Sequence, residues 1–155
     1  MKKILFVCLG NICRSAAAEA VMKSVVNKIG RDKDFFIDSA GIISVHKGEP
    51  ADNRMRKHAA RRGYAVTSIS RPVNYSDFEQ FDIIVGMDNT NIDDLKDKAP
   101  SVEAQKKIYK MTDFCERSQY DYVPDPYYGG QDGFELVLDI LEDACDGLLK
   151  KIDVL

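Results

Sequence analysis

Two residues near the start of the chain have the types and the spacing that nucleophilic chemistry on an anion requires. Cys8 and Arg14 enclose the five residues LGNIC, within the stretch VCLGNICRS that runs from Val7 to Ser15. A loop of this length can bring a thiol and a guanidinium to one centre, where Arg14 offers a planar fork of donors to a tetrahedral dianion. The spacing therefore predicts a phosphate-binding loop.

The loop between these residues suits a tight anion cradle. Gly10 lets the backbone bend closely, and Asn11 tolerates the left-handed conformation. Backbone N–H groups and the N-terminus of a following helix would favour the ionised thiolate of Cys8 without a neighbouring histidine. We expect the loop to comprise Leu9, Gly10, Asn11, Ile12, Cys13 and Ser15. The two histidines of the chain, His46 and His58, are expected to face solvent.

The reaction that these residues predict is attack of the Cys8 thiolate on phosphorus, followed by hydrolysis of the phosphocysteine by water. Arg14 and the loop amides would stabilise charge on the equatorial oxygens of the transferred group. Ser15 would donate a hydrogen bond to the Cys8 sulfur and help it to leave. The sequence shows no cluster of metal ligands, so neither a metal nor another cofactor is expected.

The leaving oxygen needs a proton, and Asp125 is the candidate general acid. It lies in VPDPYYGG between Pro124 and Pro126, whose fixed φ angles restrict the position of its carboxyl group. Asp125 would give a proton in the first step and take one from water in the second. Tyr127 and Tyr128 follow directly and are expected to form an aromatic wall of the substrate pocket.

Alternating apolar runs and helical segments predict a parallel sheet covered by helices. The predicted strands are residues 3–7, 35–39, 81–87 and 107–111. The predicted helices are residues 15–29 with Ser15 as a cap, 51–63, a short segment ended by Pro100, and a last helix whose apolar face carries Phe134, Val137, Leu138, Leu141, Cys145, Leu148 and Ile152. The Cys8 loop thus lies beyond the carboxyl end of a strand, where α/β sheets bind ligands.

Composition restricts the class of protein. The chain has 155 residues, enough for one domain, and its 22 basic and 25 acidic residues give a net charge of -3, which argues against a nucleic-acid partner. The apolar run from Ile4 to Leu9 is shorter than a signal-peptide core, and no run is long enough for a membrane span. Four irregularly spaced cysteines indicate free thiols in a reducing cytoplasm. Two of them, Cys115 and Cys145, are expected to be structural.

Four segments carry a family resemblance: VCLGNICRS, DSAG at 38–41, FDIIVGMD ending at Asp88, and DPYYGG before the final helix. With them the chain resembles the low-molecular-weight protein tyrosine phosphatases over nearly its whole length. The resemblance implies an α/β fold with a four-stranded parallel sheet flanked by helices on both faces. It also implies one phosphatase domain over residues 1–155, with Cys8 as nucleophile, Arg14 as phosphate binder and Asp125 as general acid.

The resemblance implies further roles for single residues. Hydrogen bonds that hold the loop in shape would come from Asn11, Ser15 and Ser39. Cys13 matches a second loop cysteine that forms a reversible disulfide with the nucleophile and protects it from oxidation. Val45 stands where relatives carry an aromatic pocket residue, and Ser68 where some carry a histidine that supports the loop. Phosphotyrosine proteins, among them a tyrosine kinase, are the implied partners, and inorganic phosphate or other oxyanions the implied inhibitors.

Three alternative functions differ in what they require. An arsenate reductase of this fold needs further cysteines after the third strand, where this chain reads DIIVGMDNTNI. A phosphoarginine phosphatase tends to have threonine at the position of Ile12, and an apolar side chain there favours an aryl phosphate. A non-catalytic phosphate-binding or phosphocarrier module needs no general acid, so Asp125 favours hydrolysis.

Overall fold

The computed structural model describes residues 1–126 and 130–155. Its centre is a four-stranded parallel sheet in the order β2-β1-β3-β4. The strands are β1 (Lys2–Cys8), β2 (Phe35–Gly41), β3 (Ile83–Gly86) and β4 (Ile108–Lys110). Cys8 is paired with Gly41 of β2, and Val7 with Gly86 of β3, so three strands end side by side. The predicted α/β fold is confirmed.

In the described residues, six α-helices cover the sheet. They are α1 (Arg14–Lys28), α2 (Asn53–Arg61), α3 (Tyr75–Gln80), α4 (Asn89–Lys98), α5 (Val102–Gln105) and α6 (Gln131–Lys151), with short 3-10 turns at 32–34, 111–114 and 152–154. Helices α1, α2 and α6 contribute to the larger core cluster, whereas α3, α4 and α5 contribute Phe78, Leu95 and Ala104 to a smaller one. Every residue of the predicted apolar face of α6 is buried.

The helix ends explain where prediction and structure differ. Helix α1 begins at Arg14 after Cys13, so Ser15 is inside the first turn and is not its cap. Gly30 follows α1 with φ 74°, as expected of a helix-ending glycine. Helices α3 and α5 were not predicted, because they have only 6 and 4 residues and form no long apolar period. Each begins at a side-chain cap, Asn74 and Ser101 respectively.

His58 contradicts the expectation of a solvent-facing side chain. It is buried on the inner face of α2, with its ring stacked on Phe134 at a centroid distance of 5.4 Å. Its Nδ1 pairs with the Glu135 carboxylate. An isolated histidine in a charged segment gives no periodic signal of burial, and its partner lies 77 positions away in α6.

In the part of the chain that the structure describes, no helix has both the length and the apolar character needed to cross a membrane.

Candidate active site

Residues 9–13 connect β1 to α1 and form the predicted phosphate-binding loop. Asn11 has φ 59° and is the single non-glycine residue with positive φ among residues 1–126 and 130–155. The expected left-handed conformation at this position is therefore confirmed. Gly10 has a different reason to be glycine, because a Cβ atom there would lie 2.9 Å from Cδ2 of His46. The ring of His46 thus packs directly on the loop backbone.

A chain of hydrogen bonds orients the hydroxyl of Ser15 towards the sulfur of Cys8. The backbone N–H of Arg71 donates to Asn11 Oδ1 at 3.1 Å, which identifies that atom as the amide oxygen. The Asn11 Nδ2 atom then donates to Ser15 Oγ at 2.8 Å. Because Ser15 Oγ accepts there, its own proton is available to Cys8 Sγ, 3.0 Å away. Asn11 and Ser15 are buried, so this chain is shielded from water.

Neighbouring segments hold the loop carbonyls. Ser70 Oγ donates to the Gly10 carbonyl at 2.9 Å, and the Asp52 N–H donates to the Ile12 carbonyl at 2.8 Å. The Ile43 N–H donates to the Leu9 carbonyl at 3.0 Å. Three separate parts of the chain thus fix the peptide planes of the loop, which is the preorganisation that an anion cradle needs.

Two positions that the resemblance relates to loop support are Ser39, expected to bond to the loop, and Ser68, which stands where some relatives carry a histidine. Ser39 Oγ donates to Glu19 Oε1 of α1 at 2.7 Å, so its hydroxyl joins β2 to α1. The buried Ser68 Oγ has no hydrogen-bond partner among the described residues. Support from this segment comes instead from Ser70, two positions later, because that side chain points at the Gly10 carbonyl.

Arg14 is held from two other elements. Its Nη1 donates to Asp88 Oδ2 at 2.7 Å and to the Val123 carbonyl at 3.0 Å. Its Nη2 lies 3.6 Å from Asp125 Oδ2. Burial of the Arg14 side chain lowers its pKa, but the charges of Cys8, Asp88 and Asp125 outweigh this effect and raise the pKa above its usual value. The guanidinium therefore stays cationic at any pH at which the protein is folded.

Cys8, Arg14 and Asp125 meet in one pocket of about 200 Å³. The pocket is lined by Cys8, Leu9, Gly10, Ile12, Cys13, Arg14, Ile43, Val45, His46 and Asp125. Val45 lies at its exposed rim, with 70% of its surface accessible. The predicted aromatic wall, Tyr127 and Tyr128, lies outside the described residues.

The other cysteines differ from Cys8 in their surroundings. Burial raises the pKa of Cys13 far above its usual value, and the charges of Asp52 and Cys8 add to this effect. Cys13 therefore remains a thiol. Burial and the nearby Asp143 carboxylate raise the pKa of Cys115 to about 12, and burial likewise raises the pKa of Cys145. All four cysteines are free. This agrees with the expected structural role of Cys115 and Cys145.

Four residues of the site were missed in the sequence: His46, Ser70, Arg71 and Asp88. Asp88 had a usable signal, because it lies two residues after β3 and the carboxyl ends of parallel strands meet at one edge. It also caps α4 by accepting from the Asn91 N–H at 2.8 Å. The other three lie in irregular segments without such a signal. Within the described ranges no cluster of His, Cys, Asp and Glu is suited to a metal ion.

A buried cysteine and a buried arginine in the first β–α loop of a parallel sheet, with a carboxylate facing both, define the class of cysteine-dependent phosphatases. The family model for low molecular weight phosphotyrosine protein phosphatase matches residues 3–154. The chain therefore belongs to this family, and the resemblance seen in the sequence is confirmed.

Individual relatives agree over nearly the full length. The low molecular weight phosphotyrosine protein phosphatase of Gallus gallus is 36% identical over 97% of this chain and 96% of its own. A protein tyrosine phosphatase from Entamoeba histolytica, solved with Hepes in its active site, is 54% identical with a TM-score of 0.97 over 99% and 98% of the two chains. The arginine phosphatase of Drosophila is 31% identical with a TM-score of 0.91, over 98% of each chain.

Proposed function

We propose that this chain is a protein-tyrosine-phosphatase that hydrolyses phosphotyrosine through a phosphocysteine intermediate without a metal ion. The observation that carries the proposal is the single pocket in which Cys8, Arg14 and Asp125 meet. These three side chains supply a nucleophile, a fixed cation and a proton donor, which are the groups that phosphoryl transfer through a covalent intermediate requires. Residues 1–155 would form the one phosphatase domain.

In the first step, the Cys8 thiolate attacks phosphorus and the bond to the tyrosine oxygen breaks. Asp125 gives its proton to that oxygen, so tyrosine leaves as the neutral phenol. Arg14 and the amides of residues 9–13 bind the three equatorial oxygens, and because Asp88 and Val123 already hold the guanidinium, little reorganisation is needed.

In the second step, water attacks the phosphocysteine and the S–P bond breaks. Asp125, now ionised, takes the proton of the water, and inorganic phosphate is released. The developing negative charge on Cys8 Sγ is met by the hydroxyl of Ser15 at 3.0 Å. The orientation of that hydroxyl by Asn11 makes Ser15 a donor to the leaving sulfur in every turnover.

The same proposal extends to ligands and place of action. Phosphotyrosine proteins would be the substrates, with a tyrosine kinase as one candidate, in the cytoplasm. Phosphate and other oxyanions would compete for the loop. The Entamoeba histolytica relative, solved with Hepes, a sulfonate compound, in its active site, supports this. Cys13 lines the same pocket as Cys8, and this shared position supports a protective disulfide between them. Val45 and the two tyrosines at 127 and 128 would contact the aryl ring.

Turnover of p-nitrophenyl phosphate and of a phosphotyrosine peptide, in reducing buffer with EDTA, tests the proposal. Cys8→Ser should abolish turnover while still binding vanadate. Asp125→Ala should lower kcat for the peptide by at least about 100-fold, but much less for aryl phosphates with good leaving groups. Asp121→Ala, an exposed carboxylate in the same segment, is the matched control and should retain activity. An equal loss for all leaving groups in Asp125→Ala would remove Asp125 from the acid role.

Phosphoarginine hydrolysis is the second candidate, because an arginine phosphatase is among the structural relatives. Ile12 lines the pocket of this chain, and its apolar side chain favours the aryl ring over a guanidinium. We expect a higher kcat/KM for phosphotyrosine than for phosphoarginine in the wild type, and a shift towards phosphoarginine in Ile12→Thr. A wild-type preference for phosphoarginine would instead support the second candidate.

A further inference from the structure

Helix α2 has a charge pattern that the proposed reaction does not use. Its nine residues, NRMRKHAAR, contain no acidic side chain, in a chain whose net charge is -3. The basic residues of the helix are Arg54, Arg56, Lys57 and Arg61. Three of them, Arg56, Lys57 and Arg61, are exposed and lie away from the buried side of the helix, which carries Met55, His58 and Ala59. We call these three residues the basic face.

The charges of the basic face are not neutralised within the molecule. Arg56 Nε donates to the Ala51 carbonyl, but no member of the basic face forms an ion pair with any residue in the described ranges. The neighbouring arginines differ, because Arg54 pairs with Asp52 and Arg62 pairs with three carboxylates of α6. The basic face thus directs three positive charges into solvent.

Stability of the helix does not explain these charges. Arg56 lies in the N-terminal half of α2, where the helix dipole disfavours a cation. Lys57 and Arg61 are spaced i, i+4, so their like charges are neighbours and repel each other. Only Arg61, in the last turn, is favoured by the helix dipole, so the stability of α2 does not account for Arg56 and Lys57.

The N-terminal end of α2 lies beside the phosphate-binding loop. The N–H of Asp52, the cap of α2, donates to the carbonyl of Ile12 in the phosphate-binding loop at 2.8 Å. With a rise of about 1.5 Å per residue, Arg56 lies about 6 Å along the helix from this cap, and Arg61 about 13 Å. An extended peptide advances about 3.3 Å per residue. Substrate side chains about two to five residues from a bound phosphotyrosine therefore span the same range of distances as Arg56 to Arg61.

We propose that the basic face binds acidic side chains of the substrate, so that the preferred substrates carry Asp or Glu about two to five residues to one side of the phosphotyrosine. The proposal rests on the proposed function, since it assigns the flanking sequence of the same substrate. Because α2 begins beside the phosphate-binding loop and the remainder of the chain is acidic, a peptide already held by its phosphate is favoured over a nucleic acid or a membrane.

Steady-state kinetics with paired phosphotyrosine peptides tests this assignment. Each pair has Glu or Gln at positions two to five residues from the phosphotyrosine, on either the amino or the carboxyl side. We expect the Glu peptide of one pair to have a roughly tenfold higher kcat/KM than its Gln partner, through KM, with the difference falling as salt rises. The triple variant Arg56→Gln, Lys57→Gln, Arg61→Gln should abolish the preference and leave the turnover of p-nitrophenyl phosphate unchanged.

The matched control is the triple variant Lys28→Gln, Lys33→Gln, Lys98→Gln, which removes the same charge from exposed positions outside α2. It should keep the preference. The double variant Lys57→Gln, Arg61→Gln leaves the hydrogen bond of Arg56 to Ala51 intact and should lose most of the preference. Equal turnover of Glu and Gln peptides by the wild type, or an equal loss in the two triple variants, would overturn the proposal.

Two further outcomes are distinct. Failure of the wild type to hydrolyse any phosphotyrosine peptide or p-nitrophenyl phosphate would reject the proposed function itself. The protein could instead bind phosphatidylserine vesicles or RNA through the basic face and show no preference among peptides. This outcome would assign the surface to another partner and overturn the assignment to substrate.

Discussion

Arg14 and Asp88 lie 74 positions apart, yet Nη1 of the arginine donates to Oδ2 of the carboxylate at 2.7 Å. The contact joins the loop after β1 to the residue that caps α4 after β3. Because β1 and β3 are adjacent and parallel, their carboxyl ends bring both residues to one edge of the sheet. The phosphate-binding cation is thus positioned by a neighbouring strand as well as by its own loop.

This contact predicts that Asp88 positions the guanidinium of Arg14 without itself contacting the substrate. Asp88→Asn keeps a side chain that can cap α4 but removes the charge that holds Arg14. The loss of one charge-assisted hydrogen bond costs about 1.5–3 kcal/mol, so kcat/KM for p-nitrophenyl phosphate should fall by roughly 10- to 100-fold, and vanadate should bind more weakly. Asp97→Asn, an exposed change on the same helix, is the control. Unchanged vanadate affinity in Asp88→Asn would contradict the positioning role.

The close approach of His46 to Gly10 predicts a coupling between the two positions. Among the described residues, apart from the two neighbours of Gly10 in the chain, only His46 has atoms within 4 Å of a Cβ atom at Gly10: Cδ2 at 2.9 Å and Nε2 at 3.6 Å. Gly10→Ala should therefore displace the imidazole, which Glu49 holds through Nδ1 at 2.6 Å, and lower kcat/KM. In the Gly10→Ala, His46→Ala double variant the second change removes the obstacle.

A double-mutant cycle on kcat/KM measures this coupling. The effect of Gly10→Ala should be much smaller in the His46→Ala background than in the wild type. Strictly additive effects would mean that Gly10 is required by the loop backbone or by the bound phosphate, and not by the histidine.

The parts of the site that could be predicted are those encoded by local patterns. Cys8, Arg14 and the Asn11 turn lie within one loop, and the apolar face of α6 repeats with the helical period. The contacts that hold the loop are non-local: Ser70 and Arg71 reach it across about 60 positions. They lie in an irregular segment, where neither period nor spacing indicates the direction of a side chain. The hydrogen bond from Ser70 to the loop could therefore not be predicted from the sequence.

Substitution by alanine should change the stability of the protein differently at two glycines of α6, Gly133 and Gly147. A Cβ atom at Gly147 would lie 1.7 Å from the carbonyl oxygen of Phe114, in the turn after β4. At Gly133 the nearest atom among the described residues, Cβ of Pro126, is 3.6 Å away, an ordinary contact. Alanine normally stabilises a helix by about 0.5–1 kcal/mol relative to glycine, whereas a steric conflict in a packed region costs about 1–3 kcal/mol or more.

Urea unfolding at neutral pH measures both effects. Gly133→Ala should keep or raise the free energy of unfolding, and Gly147→Ala should lower it by at least about 2 kcal/mol. Equal changes in the two variants would show that α6 does not pack on the turn at residues 111–114 as described.

Asp143 gives the stability of the fold a defined pH dependence. Its buried carboxylate accepts hydrogen bonds from the backbone N–H groups of Glu116, Arg117 and Ser118, at 2.9, 3.0 and 2.6 Å. Burial alone would raise the pKa of Asp143, but these N–H donors outweigh it and lower the pKa. The unfolded state, with an aspartate pKa of about 3.9, therefore takes up the proton first as the pH falls. The contribution of Asp143 to the free energy of unfolding is fully present above the unfolded pKa. It is lost as the pH falls through the lower pKa of the folded state.

Asp143→Asn tests this relationship, because the amide is similar in size but presents less acceptor capacity to three donors. We expect a loss of about 1.5–3 kcal/mol in the free energy of unfolding at pH 7. The difference from the wild type should shrink as the pH falls below about 3.9 and through the lower pKa of the native carboxylate, which then becomes protonated. Asp146→Asn removes a half-exposed carboxylate of the same helix that pairs only loosely with Arg117, at 3.4 Å, and should have little effect at either pH. A difference for Asp143→Asn that stays constant across this range would mean that the hydrogen bonds act without the charge.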